Sequence, residues 1–173
     1  MDFVTGPDKI HDKNQRFERL VQQHQAALQR ACFLYLRDQE QARDAVQEAF
    51  LRAYRGWDDF RGDSSEKTWL ARIAINVCRD MQKSAWHRFT DRRVTPDSLP
   101  AALQPCSPTE EHLVLDVMRL PPKLREVIIL RYYHGLTVTD IAAALHITHS
   151  TVSGRLQRAE RKLKNAWEGG DPL

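Results

Sequence analysis

The sequence predicts an all-α protein: two small helical domains joined by a Pro-containing flexible linker, the second with a helix-turn-helix. Three observations carry this. Apolar residues recur at helical spacing through most of the 173 residues, whereas alternating, strand-like runs are scarce. Only seven glycines are present, few for a turn-rich β fold. Pro96, Pro100, Pro105 and Pro108 fall between Val94 and Leu113 and divide the helical pattern in two.

Residues 1–13 are polar, contain Gly6-Pro7, and are expected to form a disordered tail. A helix from Asn14 to Leu36 follows, with Phe17, Leu20, Val21, Leu28, Ala31 and Tyr35 on its apolar side. The next spans Asp38 to Trp57. Val46, Ala49, Phe50, Ala53 and Trp57 mark its core face, and Glu40, Asp44 and Glu48, each four residues apart, form an acidic stripe. Such a stripe is either a solvated face or a dock for a basic surface. After a loop from Asp58 to Asp63, the pair Asp63 and Glu66 reads as a cap for a third helix reaching about Phe89. Trp69, Leu70, Ile73, Ala74 and Val77 supply its core side. Arg79, Lys83, Arg88, Arg92 and Arg93 outnumber Asp80 and Asp91 at its end, with Trp86 and Phe89 between them. Cations hold phosphate and rings can stack on opened bases, although Trp86 fits better as a lid on the core. The first domain thus covers 14–93 and the linker 94–113.

The second domain covers 114–168, with a short tail at 169–173. Leu120-Pro121-Pro122 opens a helix with Leu124, Val127, Ile128 and Arg131, closed by Gly135 as a C′ residue. Thr137 and Asp140 then form a capping pair ahead of Ile141, Ala142 and Leu145. His146 and Ile147 make a turn, and Thr148 caps a second helix. Val152, Leu156, Ala159 and Leu163 form the buried stripe of that helix, leaving Ser150, Gly154, Gln157, Arg158 and Arg161 outward, with Ser153 at the border. Arg155, Arg158, Arg161, Lys162 and Lys164 face only Glu160 in charge, so the helix suits a DNA major groove. Gly154 costs about 1 kcal/mol relative to Ala there; close backbone approach to DNA is one reason to accept that.

A net charge of +3 is too small for a polybasic coat, so the positive charge must act locally. No run approaches a membrane span and no apolar signal core opens the chain, so a cytoplasmic protein without membrane insertion is expected. Cys32, Cys78 and Cys106 are odd in number and far apart, which argues against a disulfide framework. Cys106 with His112 lacks a paired Cys-x-x-Cys partner, so no metal site is expected. Neither a phosphate-binding glycine loop nor a nucleophile–base motif is present; no catalytic residue, enzyme activity or cofactor is expected. A helix-turn-helix repressor or activator that binds an operator as a dimer is the alternative reading. It would leave the acidic stripe and the aromatic-basic helix without a use.

Three stretches resemble a known family. Asp44-Ala-Val-Gln-Glu-Ala-Phe-Leu-Arg-Ala-Tyr54, Phe60-Arg-Gly-Asp63, and Lys67-Thr-Trp-Leu-Ala-Arg-Ile-Ala-Ile-Asn76 with Asp80 resemble region 2 of bacterial sigma factors. Leu120-Pro-Pro-Lys-Leu-Arg-Glu-Val-Ile-Ile-Leu-Arg131 and the helix-turn-helix resemble region 4. With only a linker between them, the chain is similar to the extracytoplasmic-function group over about residues 14–166. The resemblance implies a factor that binds core RNA polymerase (β and β′ subunits), directs it to the promoter DNA of a specialised, stress- or envelope-responsive regulon, and is controlled by an anti-sigma factor. Asp44, Gln47 and Glu48 would face the β′ clamp helices. Phe60, Arg61, Gly62, Asp63, Ser64 and Ser65 would lie where an opened −10 base is captured. Arg72, Asn76, Arg79, Asp80 and Lys83 would line −10 DNA. Ser150, Thr151, Ser153, Gly154, Gln157, Arg158 and Arg161 would face the −35 element. Two departures stand out: family members often carry Lys or Arg where Ser153 stands and Ser where Gly154 stands, and many carry an apolar residue in place of Glu66. The two promoter elements in this family lie about 70 Å apart, roughly two turns of duplex. Twenty linker residues span at most about 66–72 Å, so the linker can join the two readers but cannot position them.

Overall fold

The computed structural model describes the backbone of residues 6–84 and 108–169 and the side chains of residues 12–83 and 112–168. Within these, helices α1 (Gly6–Leu36), α2 (Gln39–Arg55) and α3 (Glu66–Ser84) form one unit. Helices α4 (Pro108–Arg119), α5 (Pro122–Ile128), α6 (Val138–Leu145) and α7 (His149–Gly169) form the other. There is no strand among the described residues.

Several element boundaries differ from expectation, each for a local reason. Helix α1 begins at Gly6 rather than Asn14. Pro7 sits in its first turn, where a missing N–H costs no intrahelical bond. Pro108 likewise opens α4 inside the stretch expected to be linker. Asp38 caps α2, its carboxylate accepting the Gln41 N–H at 3.0 Å. A short 3-10 turn, Trp57–Asp59, follows α2 and takes up the start of the expected loop. The cap of α3 is Ser65, whose Oγ accepts the Thr68 N–H at 3.1 Å, rather than Asp63. Glu66 is the first helical residue and places its charge at the positive end of the helix dipole. The expected extension of α3 to Phe89, with Trp86, Arg88, Arg92 and Arg93, lies outside the described residues, as does Cys106.

In the second unit local chemistry follows the sequence closely. Thr137 and Asp140 form a reciprocal capping box: Asp140 N–H donates to Thr137 Oγ1 at 3.1 Å, and Thr137 N–H to Asp140 Oδ2 at 3.0 Å. His146 turns the chain at φ 54°, and Thr148 Oγ1 accepts the Thr151 N–H at 3.2 Å to start α7. Helix α5 runs on into one π-helical turn, Ile129–Tyr133, ended by Gly135 at φ +66°.

The two units pack against each other, which the sequence did not indicate. Helix α1 touches α2 and α3 on one side and α4, α5 and the π turn on the other, while α3 touches α6. Consequently all six residues from Ala31 to Leu36 are buried, as are all seven from Leu124 to Leu130. A helix that is buried all round needs apolar residues beyond a single stripe, and Cys32, Phe33, Leu34 and Leu36 supply them.

His134 lies in this contact, 3% exposed. Burial, then the Lys67 ammonium and the His24 ring of the first unit, hold its pKa down to about 4. Its Nδ1 has no hydrogen-bond partner among the described residues. An unfolded chain takes up this proton near pH 6.5, so the folded form loses stability as pH falls from about 6.5 to about 4. The shift corresponds to about 3 kcal/mol. We expect Tm to drop across that window, and the drop to shrink in His134→Gln; an equal drop in both would refute the assignment.

Candidate nucleic-acid interface

Helix α7 owes its position to Val152 and Ala159, fully buried, and Leu156, 8% exposed, against α5 and α6. Its opposite face presents Ser150, Ser153, Gln157, Arg158 and Arg161 to solvent, with Thr151 and Gly154 half-exposed. All seven residues expected on the −35 side therefore share one accessible face. Arg155 does not belong to it. The Arg155 guanidinium turns inward and donates to Glu126 Oε1 at 2.7 Å. Nor does Gly154 answer to packing among the described residues: of these a Cβ there would meet only the Arg158 guanidinium, at 3.9 Å. Gly154→Ala is thus expected to stabilise the helix by about 1 kcal/mol. An unchanged or lower Tm in thermal denaturation would contradict this.

On α3, Arg72, Asn76, Arg79, Asp80 and Lys83 fall on one side by helical spacing, half-exposed or exposed. Beside the start of this row is a cleft of about 360 Å³ lined by Arg52, Gly56, Asp59, Trp69, Ile73 and Asn76. The loop residues Arg61, Gly62, Asp63 and Ser65 are exposed and Ser64 half-exposed. Phe60 is held by stacking: its ring centroid is 4.8 Å from Trp69 and 6.0 Å from Trp57. Phe17 of α1 braces Trp57 edge-on at 5.8 Å. The aromatic cluster gives the loop a rigid floor.

Arg79 is engaged elsewhere. It reaches across to the second unit, 3.9 Å from Glu126 Oε2, and donates to the Leu145 carbonyl at 3.5 Å, at the end of α6. Glu126 is 3% exposed, and burial raises its pKa despite Arg79 and Arg155 on either side.

The acidic residues of α2 stand on the face opposite Ala42, Ala45, Val46 and Ala49, which are buried. Asp44 and Gln47 are exposed and Glu48 half-exposed. Arg52, absent from the sequence-based set, joins two groups within it. It donates to Glu48 Oε1 at 2.7 Å and to Asp80 Oδ2 at 3.2 Å. The i, i+4 spacing of Glu48 and Arg52 was legible; the bridge to α3 was not. Among the described residues no cluster of His, Cys, Asp and Glu could hold a metal ion. No described helix is long and apolar enough to cross a membrane.

These surfaces coincide with two matched family models, Sigma-70 region 2 over residues 20–88 and Sigma-70, region 4 over residues 117–163. The chain is 32% identical over 164 residues to the RNA polymerase sigma-H factor of Pseudomonas aeruginosa, covering 87% of this chain and 85% of the relative. It is 36% identical over 138 residues to the ECF RNA polymerase sigma-E factor of Escherichia coli, covering 70% and 71%. Among solved structures it is similar to CnrH in complex with the cytosolic domain of CnrY, with a TM-score of 0.67, 29% identity and 91% of each chain covered. The fold is also that of the sigma factor RpoE in complex with the anti-sigma factor NepR from Bartonella quintana, with a TM-score of 0.73, 23% identity, and coverage of 89% and 98%. With regions 2 and 4 both matched and relatives at 32% and 36% identity, the chain belongs to the extracytoplasmic-function sigma factors.

Proposed function

We propose that this sigma factor engages core RNA polymerase through Asp44, Gln47 and Glu48, reads opened −10 bases with α3 and the Phe60–Ser65 loop, and reads −35 duplex with the outer face of α7. Exposure of three chemically distinct faces carries the reading: acidic on α2, aromatic-lined on α3, basic on α7. The 360 Å³ cleft has Trp69 for stacking and Asn76 for hydrogen bonding to an extruded base. No covalent chemistry is assigned to the chain, and its site of action is the cytoplasm, where polymerase and DNA are.

The observed arrangement is a closed one. Arg79 of the −10 row touches the end of α6 in the helix-turn-helix, whereas promoter elements two duplex turns apart need the two readers separated by about 70 Å. Promoter engagement therefore requires the units to part, and an anti-sigma factor would act by holding them together. Run-off transcription with purified core enzyme on fragmented DNA from the source organism tests the activity. Discrete promoter-dependent products are expected; none, with demonstrably folded protein and active core, would refute the function.

A further inference from the structure

Where the two units meet, a cleft of about 540 Å³ opens between the end of α1, the end of α3 and the start of α5. Its walls carry Arg37, Arg79, Lys83, Lys123 and Arg155 against a single carboxylate, Glu126. Two of these cations, Arg79 and Arg155, already share Glu126; Arg37, Lys83 and Lys123 form no salt bridge with a described residue. Tyr35 and Pro122 supply apolar wall. A space of this size, largely formed and lined by apolar surface with converging polar groups, has the character of a small-ligand site.

Two further observations say that the positive charge here is held against a cost. Arg37 adopts φ 58°, a left-handed conformation in which glycine is the ordinary occupant. This left-handed residue ends α1, its N–H donating to the Phe33 carbonyl at 2.7 Å, and so fixes where the Arg37 side chain leaves the helix. Behind the wall, Arg125 is 1% exposed, and after burial itself the Arg37 guanidinium is the main influence lowering its pKa, to about 10. Like charges crowd here, with Glu126 the one carboxylate among the described residues that line the cleft.

We propose that this cleft binds a linear di- or triphosphate, held by Arg37 and Lys83 from the first unit and by Lys123 and Arg155 from the second. Arg37 and Lys123 belong to neither promoter-reading surface, so DNA contact does not account for them. Because both units contribute, the ligand binds only the closed form and stabilises it.

Calorimetric titration of the full chain alone, at low salt and without divalent cations, tests this with ATP, ADP, AMP and pyrophosphate. ATP, ADP and pyrophosphate should bind and raise Tm, with AMP at least about tenfold weaker. Pyrophosphate matching ADP would assign the affinity to the phosphates alone; tighter ADP would add a contact of the nucleoside with the Tyr35–Pro122 wall. Arg37→Gly, which also relieves the backbone strain, and Lys123→Gln should each weaken ADP binding about tenfold, the size of one lost charge-assisted contact. Absence of binding, AMP binding as tight as ATP, or affinity unchanged in both variants overturns the proposal. None of these results depends on polymerase or DNA, so they leave the sigma activity untouched.

Discussion

Reversing two charges on α2, Asp44→Lys with Glu48→Lys, is expected to abolish retention of β′ and to lower run-off transcription by more than about a hundredfold. The magnitude follows from the sign change. Like charges juxtaposed across an interface cost several kcal/mol, and each 1.4 kcal/mol is tenfold. Folding should survive, because the exchanged residues lie on the face away from Ala42, Ala45, Val46 and Ala49. Glu48 is the less clean of the two, since its lysine would also release Arg52, now shared with Asp80. Asp44 makes no hydrogen bond or ion pair with a described residue, so Asp44→Lys alone tests the proposed polymerase contact. Circular dichroism should show unchanged helix content for both variants. Equal β′ retention by wild type and the double variant would remove α2 from the polymerase interface.

The second large effect is expected at Glu126. Glu126→Lys puts a cation where Arg79, Arg155 and Lys123 converge, and an uncompensated buried charge costs about 3–5 kcal/mol. For a chain of this length that is a Tm loss of roughly 10 °C, with a larger radius of gyration in small-angle scattering as the units separate. Glu126→Gln should behave quite differently. Burial already raises the pKa of this carboxylate, so removing its charge relieves a desolvation cost while losing the pair with Arg155. The Arg155 guanidinium is then left without its carboxylate, though the glutamine oxygen can still accept its hydrogen bond, so a loss of about 1–3 kcal/mol, smaller than for Glu126→Lys, is expected. Arg79→Ala leaves the 2.7 Å Arg155–Glu126 pair in place and tests the link between units alone. A Glu126→Lys protein with wild-type Tm and radius would show that Glu126 holds nothing together.

Features set by nearest neighbours in the chain were legible in the sequence. The Thr137–Asp140 capping box, the Val152–Leu156–Ala159 stripe and the exposed face of α7 follow from spacing alone, and the structure has them. Proline was misjudged when treated only as a breaker: Pro7 and Pro108 both fall in a first turn and admit a helix. Arg155 was counted in the positive charge that suits α7 to DNA, although it was not among the residues placed on the outward face. Its inward turn depends on Glu126, 29 residues away. The contact between units was the largest omission. Its trace was present in Cys32-Phe33-Leu34-Tyr35-Leu36, a run with no polar residue to face water, but which surface covers such a run is a tertiary fact. The roles assigned to individual DNA- and polymerase-facing residues remain the proposal stated above.

The covered run at the end of α1 also bears on how long the protein survives in a cell. When the units part, α1, whose last six residues are all buried, loses the surface contributed by α4, α5 and the π turn. An uncovered apolar segment of that kind is what chaperones and proteases recognise. An opened chain that does not find polymerase would be exposed to both. Abundance of the free factor would then be set by competition for polymerase as well as by synthesis, and a burst of release would switch itself off.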